Sequence, residues 1–235
     1  MAVTVKNLQK YYDKNKALDI TELNISGGEL VGIVGNNGAG KTTFLRLVLD
    51  LLQPTKGEVL IEGENVSQGE NWKSFTGSYL DEGFLIDFMT PEEYFYFSGE
   101  LYGLNKSDID ERLKSYKSFL SNEILNQKKY IRQLSTGNKQ KTGIIAALIV
   151  EPNLLLLDEP FNFLDPTSQI RIRNRLKEIN VKQKTTMVIS SHNLNHIGSI
   201  CSRIILLEKG YIIKDITDVE NKLQEIEDYF SLNAQ

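Results

Sequence analysis

Eight consecutive residues of this chain, Gly35-Asn36-Asn37-Gly38-Ala39-Gly40-Lys41-Thr42, match the pattern G-x-x-x-x-G-K-[ST] at every position. The apolar run Glu29–Val34 before the pattern reads as a buried strand, and the apolar spacing over Lys41–Leu51 predicts an amphipathic helix. Glycines allow consecutive backbone N–H groups to curl around an anion, and a helix N-terminus adds positive potential. The chain is therefore expected to contain a strand, a phosphate-binding loop and a helix in that order.

The last two residues of the pattern carry the chemistry that glycine cannot supply. The Lys41 ammonium is expected to reach the β- and γ-phosphates of a nucleotide, and the Thr42 hydroxyl to ligate Mg²⁺. Further nucleotide contacts are expected from Gly35, Asn36, Asn37, Gly38, Ala39, Gly40 and Thr43. A chance glycine-rich turn is the alternative, which the complete match between strand and helix disfavours.

Two carboxylates follow the apolar run Leu154–Leu157, where a buried strand would emerge. Asp158 at such a strand end can hold the water shell of Mg²⁺, as in P-loop NTPases generally. Glu159 is then placed to polarise the attacking water, so Lys41 and Glu159 are predicted catalytic residues. A solvated acidic turn is the alternative. That alternative is disfavoured because a phosphate-binding loop is present in the same chain.

Strand-like runs alternate with helical segments along the rest of the chain, which predicts a mostly parallel α/β sheet covered on both faces. Strands are predicted at Val3–Lys6, Leu18–Ile25, Glu58–Ile61, Thr76–Leu80, Leu154–Asp158, Thr185–Ser190 and Ile204–Glu208. Helical segments are predicted over Pro91–Leu125, Ser135–Val150, Thr167–Ile179 and Leu194–Ile200. No repeat or flexible linker separates them, so a single domain with a helical insertion is expected.

Composition narrows the function classes. The net charge is −4 and no long basic run occurs, so nucleic-acid binding is not expected. The single cysteine, Cys201, excludes an internal disulfide and a cysteine-rich metal site, which fits a reducing cytosol. The N-terminus lacks the apolar core of a signal peptide, and no run approaches the roughly 18 apolar residues of a transmembrane helix. If the protein serves a membrane, another chain must supply the passage.

Three further segments complete an ordered set of motifs that resembles the ATP-binding subunits of ATP-binding-cassette (ABC) transporters over nearly the whole chain. Leu134-Ser135-Thr136-Gly137-Asn138-Lys139-Gln140-Lys141 resembles the ABC signature at the start of a helix. Asp158-Glu159-Pro160-Phe161-Asn162-Phe163-Leu164-Asp165 resembles the Walker B segment running into the D-loop. Ser190-Ser191-His192 resembles the strand end that carries the switch histidine. Kinases and small GTPases share the phosphate loop but not this ordered set.

The resemblance implies a P-loop NTPase fold with a RecA-like core, an N-terminal antiparallel β subdomain and an inserted α-helical subdomain. The core with the β subdomain would comprise 1–82 and 147–235, and the helical subdomain about 83–146. The resemblance also implies a head-to-tail homodimer, or a pair of ABC subunits, with ATP and Mg²⁺ sandwiched at two sites. One subunit would supply Lys41, Thr42, Asp158, Glu159 and His192, and the other Ser135 and Gly137. Asp165 of the D-loop is included in the predicted nucleotide site.

The same resemblance suggests roles for an aromatic residue and a histidine. In the family an aromatic residue near the N-terminus stacks on adenine, and the aligned pattern places Tyr12 there. Tyr11 is the second choice, and an aromatic packed in the core is the alternative. His192 is expected to sense the γ-phosphate, although a lone histidine is more often structural. His196 is expected on a helix surface and has no assigned role.

Two departures from the family pattern concern the region between nucleotide and partner. Glu82 stands where the family usually has glutamine; it is predicted to contact Mg²⁺ or a bound water, and its extra negative charge puts coupling to the partner in doubt. Thr136 and Asn138 replace the commonest signature residues, whereas the phosphate-facing Ser135 and Gly137 are retained. We therefore expect a working ATPase.

The predicted function is an ATP-hydrolysing subunit, cytoplasmic and peripheral on the inner face of the cell membrane, that powers a separate integral membrane permease. The segment Ser135–Lys141 and the run Thr90–Tyr94 are similar to ABC-2-type exporters, so export is predicted. One alternative is a soluble ABC ATPase of an assembly or repair system. A non-enzymatic nucleotide-binding regulator is another, which the retained Glu159 and His192 disfavour.

Four consecutive aromatic residues, Tyr94-Phe95-Tyr96-Phe97, would span all faces of a helix. They are expected mainly to form the core of the helical subdomain, with one or two tyrosines reaching solvent. Alternatively, some of them, with Phe84, Leu85 and Phe88, line a groove for a cytoplasmic helix of the partner.

Overall fold

The structure is a computed structural model that describes residues 2–219, apart from the side chains of Ser121 and Asn122. Met1 and residues 220–235 of the predicted domain lie outside the described residues. The strands are β1 Val3–Tyr12, β2 Asn15–Ile25, β3 Leu30–Val34, β4 Lys56–Ile61, β5 Glu64–Asn65, β6 Thr76–Tyr79, β7 Leu154–Leu157, β8 Thr186–Ser191, β9 Arg203–Glu208 and β10 Tyr211–Ile216. The helices are α1 Lys41–Val48, α2 Pro91–Leu101, α3 Lys106–Lys114, α4 Lys117–Ile124, α5 Thr136–Ile149, α6 Pro166–Gln183 and α7 Leu194–Gly198. Short 3-10 turns occupy Asn71–Phe75, Glu82–Phe84 and Ile131–Gln133.

The larger sheet has six strands in the order β10-β9-β3-β8-β7-β6, and every neighbouring pair is parallel except β10 with β9. All residues of β3, β7 and β8 are buried, as expected for central strands covered on both faces. Successive residues of β7 point to opposite faces: Leu155 and Leu157 join one hydrophobic core, and Leu154 and Leu156 join the other. The predicted mostly parallel α/β fold is confirmed.

The carboxyl ends of these parallel strands lie at one edge of the sheet, where doubly wound folds place their ligands. β3 leads into the glycine loop, β7 into Asp158, β8 into His192 and β6 into Glu82. Residues far apart in the sequence are thereby brought to one edge.

The smaller sheet is antiparallel, with four strands in the order β2-β1-β4-β5. The predicted strand Val3–Lys6 is longer in the structure because β1 continues to Tyr12 and pairs with β2 up to Asn15. Asp13 adopts a positive φ of 52° in the turn between them. This pairing carries Ala17 of β2 to the glycine loop.

Helices α2, α3, α4 and α5 lie between β6 and β7 along the chain. The helical region predicted over 91–125 is three helices, because Gly103 takes a left-handed φ of 77° after α2 and a turn at Ser115 and Tyr116 ends α3. Thr90 caps α2, and its capping box with Glu93 explains why that helix begins at Pro91.

Several predicted boundaries were wrong for local reasons. The helix predicted to reach Leu51 ends at Val48, because Asp50 takes a φ of 52° and the Leu51 N–H bonds the Arg46 carbonyl at 2.9 Å. That pattern is a Schellman cap, in which glycine is the usual residue at the position that Asp50 occupies. The sequence therefore gives no signal for the end of this helix. Strand β10 was not predicted; it follows a turn in which Lys209 and Gly210 both have positive φ.

Candidate active site

The glycine loop adopts a conformation that only small residues permit. Gly40 has a φ of 106°, and a Cβ there would lie 2.8 Å from the Ala17 carbonyl oxygen. At Gly35 a Cβ would approach the Leu207 carbonyl oxygen to 2.3 Å. Substitution at either position would push the loop away from β2 or β9, which explains why glycine is needed at both.

Lys41 is the first residue of α1 and lies beneath the loop, with only 6% of its surface exposed. Its Nζ donates to the carbonyl oxygens of Gly35 at 2.7 Å and Asn36 at 3.4 Å. The same Nζ lies 3.3 Å from Oε1 of Glu159. A cavity of about 290 Å³ opens over these groups, lined by Ala17, Asn37, Gly38, Ala39, Gly40, Lys41, Thr42, Thr43 and Glu159. The cavity beside Lys41 is therefore lined by five more of the predicted nucleotide-binding residues, Asn37, Gly38, Ala39, Thr42 and Thr43.

Thr42 and Asp158 meet beside this cavity. The Thr42 hydroxyl donates to Oδ2 of Asp158 at 2.5 Å, and the Ser190 hydroxyl donates to Oδ1 of the same carboxylate. Burial raises the pKa of Asp158 above its ordinary value, whereas these two hydroxyl donors favour the ionised carboxylate. A hydroxyl and a carboxylate oxygen this close together form a hard-oxygen donor set that fits Mg²⁺.

Glu159 follows Asp158 in a left-handed conformation, with a φ of 46°. Such a conformation costs a non-glycine residue about 1–3 kcal/mol and persists only when its surroundings hold it. The Ser190 hydroxyl accepts a hydrogen bond from the Glu159 N–H at 2.9 Å. The turn places the Glu159 carboxylate beside the Lys41 ammonium.

His192 follows β8, and its Nδ1 lies 2.9 Å from Oε2 of Glu159. An ionised Glu159 only accepts hydrogen bonds, so Nδ1 carries the proton in this contact. The two oxygens of Glu159 are thus divided between Lys41 and His192. The structure brings together all five residues that were assigned to one subunit: Lys41, Thr42, Asp158, Glu159 and His192.

The signature residues line a different space. Ser135 caps α5 by accepting the Asn138 N–H at 3.3 Å, and it borders a cavity of about 570 Å³ with Glu123, Gln127, Lys129, Gln133, Leu134 and Asn138. No lining residue is shared with the cavity over Lys41. Gly137 lies against the Phe163 carbonyl oxygen, which a Cβ there would approach to 2.6 Å.

Tyr12, Glu82 and Asp165 were also predicted at the nucleotide site but do not line the cavity over Lys41. Tyr12 ends β1 with its side chain 46% exposed, so it is not an aromatic of the core, and Lys10 Nζ lies 5.4 Å from its ring centroid. Glu82 forms an ion pair with Lys139 of α5 at 3.1 Å. Asp165 caps α6 by accepting the Ser168 N–H at 2.9 Å. His196 lies on α7, as expected, and its ring is half-buried 5.0 Å from the Phe161 ring, where burial lowers its pKa.

Two residues at the site received no individual role from the sequence. Ser190 bonds both Asp158 and Glu159, and Gln140 of α5 donates from Nε2 to the Glu159 carbonyl oxygen at 3.1 Å. Both belong to segments quoted for their resemblance, but only the folded sheet places them beside the acidic turn.

Within residues 2–219, no group of three or more His, Cys, Asp or Glu side chains could hold a metal ion by itself. In the same part of the chain, none of the helices combines the length and apolar character needed to span a bilayer.

Residues 18–162 match the family model described as "ABC transporter". The chain is 36% identical over 211 residues to the ABC transporter ATP-binding protein NatA of Bacillus subtilis, covering 87% of this chain and 85% of that protein. It is 34% identical over 226 residues to the methionine import ATP-binding protein MetN of Clostridium acetobutylicum, covering 93% and 69%. A dimeric post-hydrolysis structure of the ATP-binding cassette MJ0796 with ADP and Pi superposes with a TM-score of 0.82 at 26% identity, covering 92% of this chain and 98% of that one.

Proposed function

The chain belongs to the ABC transporter family as an ATP-binding subunit with ATPase activity, and from that premise we propose that it powers a separate membrane permease through ATP-driven dimerisation. The observation that carries the proposal is the separation of two half-sites within one chain. Lys41 and Glu159 line one cavity, and His192 contacts Glu159, whereas Ser135 borders another cavity.

The residues of the first cavity are suited to γ-phosphate hydrolysis. Lys41 would transfer its hydrogen bonds from the loop carbonyls to phosphate oxygens, which releases Oε1 of Glu159. Glu159 would then accept the proton of the attacking water while His192 fixes the direction of its carboxylate. Mg²⁺, when bound at Thr42 and Asp158, would neutralise phosphate charge.

The second half-site would come from another subunit. A serine hydroxyl at the N-terminus of α5 and the backbone around Gly137 favour the negative charge of a γ-phosphate. The MJ0796 neighbour is a dimer. We propose that two copies of this chain, or this chain and a related subunit, pair head to tail so that Ser135 and Gly137 of one face Lys41 of the other.

Contact with the permease is assigned to a groove of about 210 Å³ beside β6, between α2 and α5. Its lining includes Phe84, Ile86, Tyr94, Phe97 and Leu101. Phe84 is 49% exposed and Leu101 69% exposed, so a permease helix docked there would cover apolar surface. Of the residues considered for this groove, Phe84 lines it, whereas Leu85 is buried in the core and Phe88 is 68% exposed but does not line it. Of the aromatic run, Tyr94 and Phe97 line the groove, Phe95 is buried in the core and Tyr96 bonds Asp110.

We further propose that residues 83–146 form the helical subdomain that carries this groove, and that the protein works on the cytoplasmic face of the membrane. Export is proposed from the resemblance of Ser135–Lys141 and Thr90–Tyr94 to the ABC-2-type exporters.

Two inactive variants test the dimeric arrangement by complementation. Ser135→Arg should block the partner's site, and Glu159→Gln should disable the site of its own chain. Each variant alone should be inactive, but mixing them should restore phosphate release, because the mixed dimer retains one intact site. Absence of restored activity would contradict the shared site.

A membrane experiment tests coupling to a permease. A tagged Glu159→Gln chain, purified from a detergent extract of its native membranes with ATP, should retain an integral membrane protein. Glu151→Gln, which changes an exposed carboxylate outside the cavities, is the matched control for the substitution. Recovery of only water-soluble partners by both variants would favour the assembly or repair alternative.

A further inference from the structure

Gln140 joins the signature helix α5 to the turn that carries Glu159. Its side chain is buried, with 7% of the residue exposed, and both ends of its amide are used. Nε2 donates to the Glu159 carbonyl oxygen at 3.1 Å, and Oε1 accepts from the Tyr79 hydroxyl at 3.2 Å. A carbonyl oxygen can only accept, so the Glu159 contact determines which end of the amide is nitrogen.

The backbone of Glu159 is therefore held by side chains from two directions. Ser190 accepts its N–H, and Gln140 donates to its carbonyl oxygen, which also accepts the Asn162 N–H at 3.1 Å. The φ of 46° at Glu159 is unfavourable for a residue with a side chain, so these contacts select the conformation. Rotation of this peptide would swing the carboxylate away from Lys41.

The helix that presents Gln140 also presents the signature residues. Along α5, Gly137 contacts the Phe163 carbonyl oxygen, Lys141 pairs with Asp165 at 3.5 Å, and Gly143 makes room for the Tyr79 ring. A Cβ at Gly143 would come within 2.0 Å of that ring, so α5 lies directly on the strand end. A shift of the N-terminus of α5 would therefore displace Gln140.

We propose that Gln140, which lies on the signature helix α5, is a positioning residue that holds the Glu159 carboxylate of the same chain in place. The inference rests on the proposed dimer, in which Ser135 and Glu159 of one chain serve different nucleotide sites. Gln140 holds Glu159 in the conformation that meets Lys41, so its effect falls on the nucleotide site that Glu159 of its own chain serves and not on the site that Ser135 of its own chain serves.

The complementation pair separates this role from a general effect on the signature. When Ser135→Arg is mixed with Glu159→Gln, the single live site uses Glu159 of the first chain and Ser135 of the second. Gln140→Met, which keeps the length but loses both hydrogen bonds, is added to one chain or the other. The mixed dimers are purified through two different tags.

With Gln140→Met on the chain that carries the live Glu159, kcat should fall about tenfold, as expected for losing one orienting hydrogen bond. The ATP KM should stay unchanged, because Gln140 does not line the cavity over Lys41. On the chain that carries the live signature, the same substitution should leave kcat at the value of the unmodified pair. Equal kcat in both placements, or a loss confined to the signature chain, overturns the proposal.

Two further variants serve as controls. Tyr79→Phe keeps the ring but removes the hydroxyl that orients the Gln140 amide, so it should lower kcat less, again only on the chain with the live Glu159. Thr142→Val removes a buried helix hydrogen bond to the Asn138 carbonyl without contacting Glu159, and its placement should not matter. If the pair without Gln140→Met is inactive, the proposed shared site is wrong. Equal kcat in the two placements would instead contradict only the role of Gln140.

Discussion

The Lys41 ammonium and the Glu159 carboxylate pair with each other across the phosphate loop, with Nζ 3.3 Å from Oε1. Lys41 comes from the helix after β3 and Glu159 from the turn after β7, so the parallel sheet is what brings the charges together. A γ-phosphate between them would take the lysine as a counter-ion and leave the carboxylate to accept a proton. The predictions for the Glu159 and Lys41 variants both depend on these two charges.

Glu159→Gln should retain ATP binding but lower hydrolysis by about 10²–10⁴-fold, the usual effect of losing a general base. The amide keeps the size and the contact with His192 but cannot accept the proton of water. The variant should also accumulate as an ATP-bound dimer in gel filtration. A phosphate-release assay checks the rate, with Glu151→Gln as the control carboxylate. Hydrolysis at the parental rate would mean that Glu159 is not the base.

Lys41→Ala should abolish ATP binding, because the triphosphate loses the only cation of the loop. Lys41→Met keeps most of the buried stem and should give the same result, which separates lost charge from a collapsed loop. A titration with fluorescent ATP measures the affinity. Lys73→Ala, which removes an exposed lysine paired with Glu70, should bind normally. Unchanged affinity in both Lys41 variants would contradict the phosphate-loop assignment.

The glycine loop and the acidic turn could be predicted because their chemistry is local. A phosphate nest needs consecutive small residues before a helix, and the magnesium carboxylate needs a buried strand before it, so both appear as contiguous patterns. The parallel sheet then follows from the alternation of strands and helices. These features determined both the fold class and which residues would lie near Lys41.

Contacts that depend on tertiary packing could not be predicted. The left-handed φ of Glu159 has no sequence signal, since this non-glycine residue is held there by tertiary contacts with Ser190 and Gln140 and by the Asn162 N–H. The ion pair of Glu82 with Lys139 joins two residues that are 57 positions apart, and the hydrophobic periodicity of the sequence does not indicate such a contact. Strand β10 was missed because its edge position leaves it without a continuous buried run.

Asp165 should make stability depend on acid pH. Its hydrogen bonds with Ser168 lower its pKa to about 2, so its folded-state pKa lies below the unfolded value. The resulting stability is present above the unfolded pKa and is lost as pH falls towards about 2. Asp165→Asn still caps α6, so its urea midpoint should change less than the parental one between pH 5 and pH 3. Asp165→Ala should lose about 1 kcal/mol at neutral pH. If the urea midpoint falls equally with pH in the parent and in Asp165→Asn, this account is wrong.

Glu82→Gln should bind MgATP equally well or more tightly and should still hydrolyse it, since the substitution removes a negative charge from the region beside the phosphates. Its ion pair with Lys139 is half-exposed on the Glu82 side, and such a pair contributes about 1 kcal/mol or less, so the fold should persist. Glu82→Ala should lower permease-stimulated hydrolysis more than basal hydrolysis, because Phe84 of the groove follows directly. The exchanged pair, Glu82→Lys with Lys139→Glu, should recover stimulation better than either single change. Phosphate release with and without the permease measures each effect. A large loss of basal activity in Glu82→Gln would instead mean that this carboxylate takes part in the chemistry.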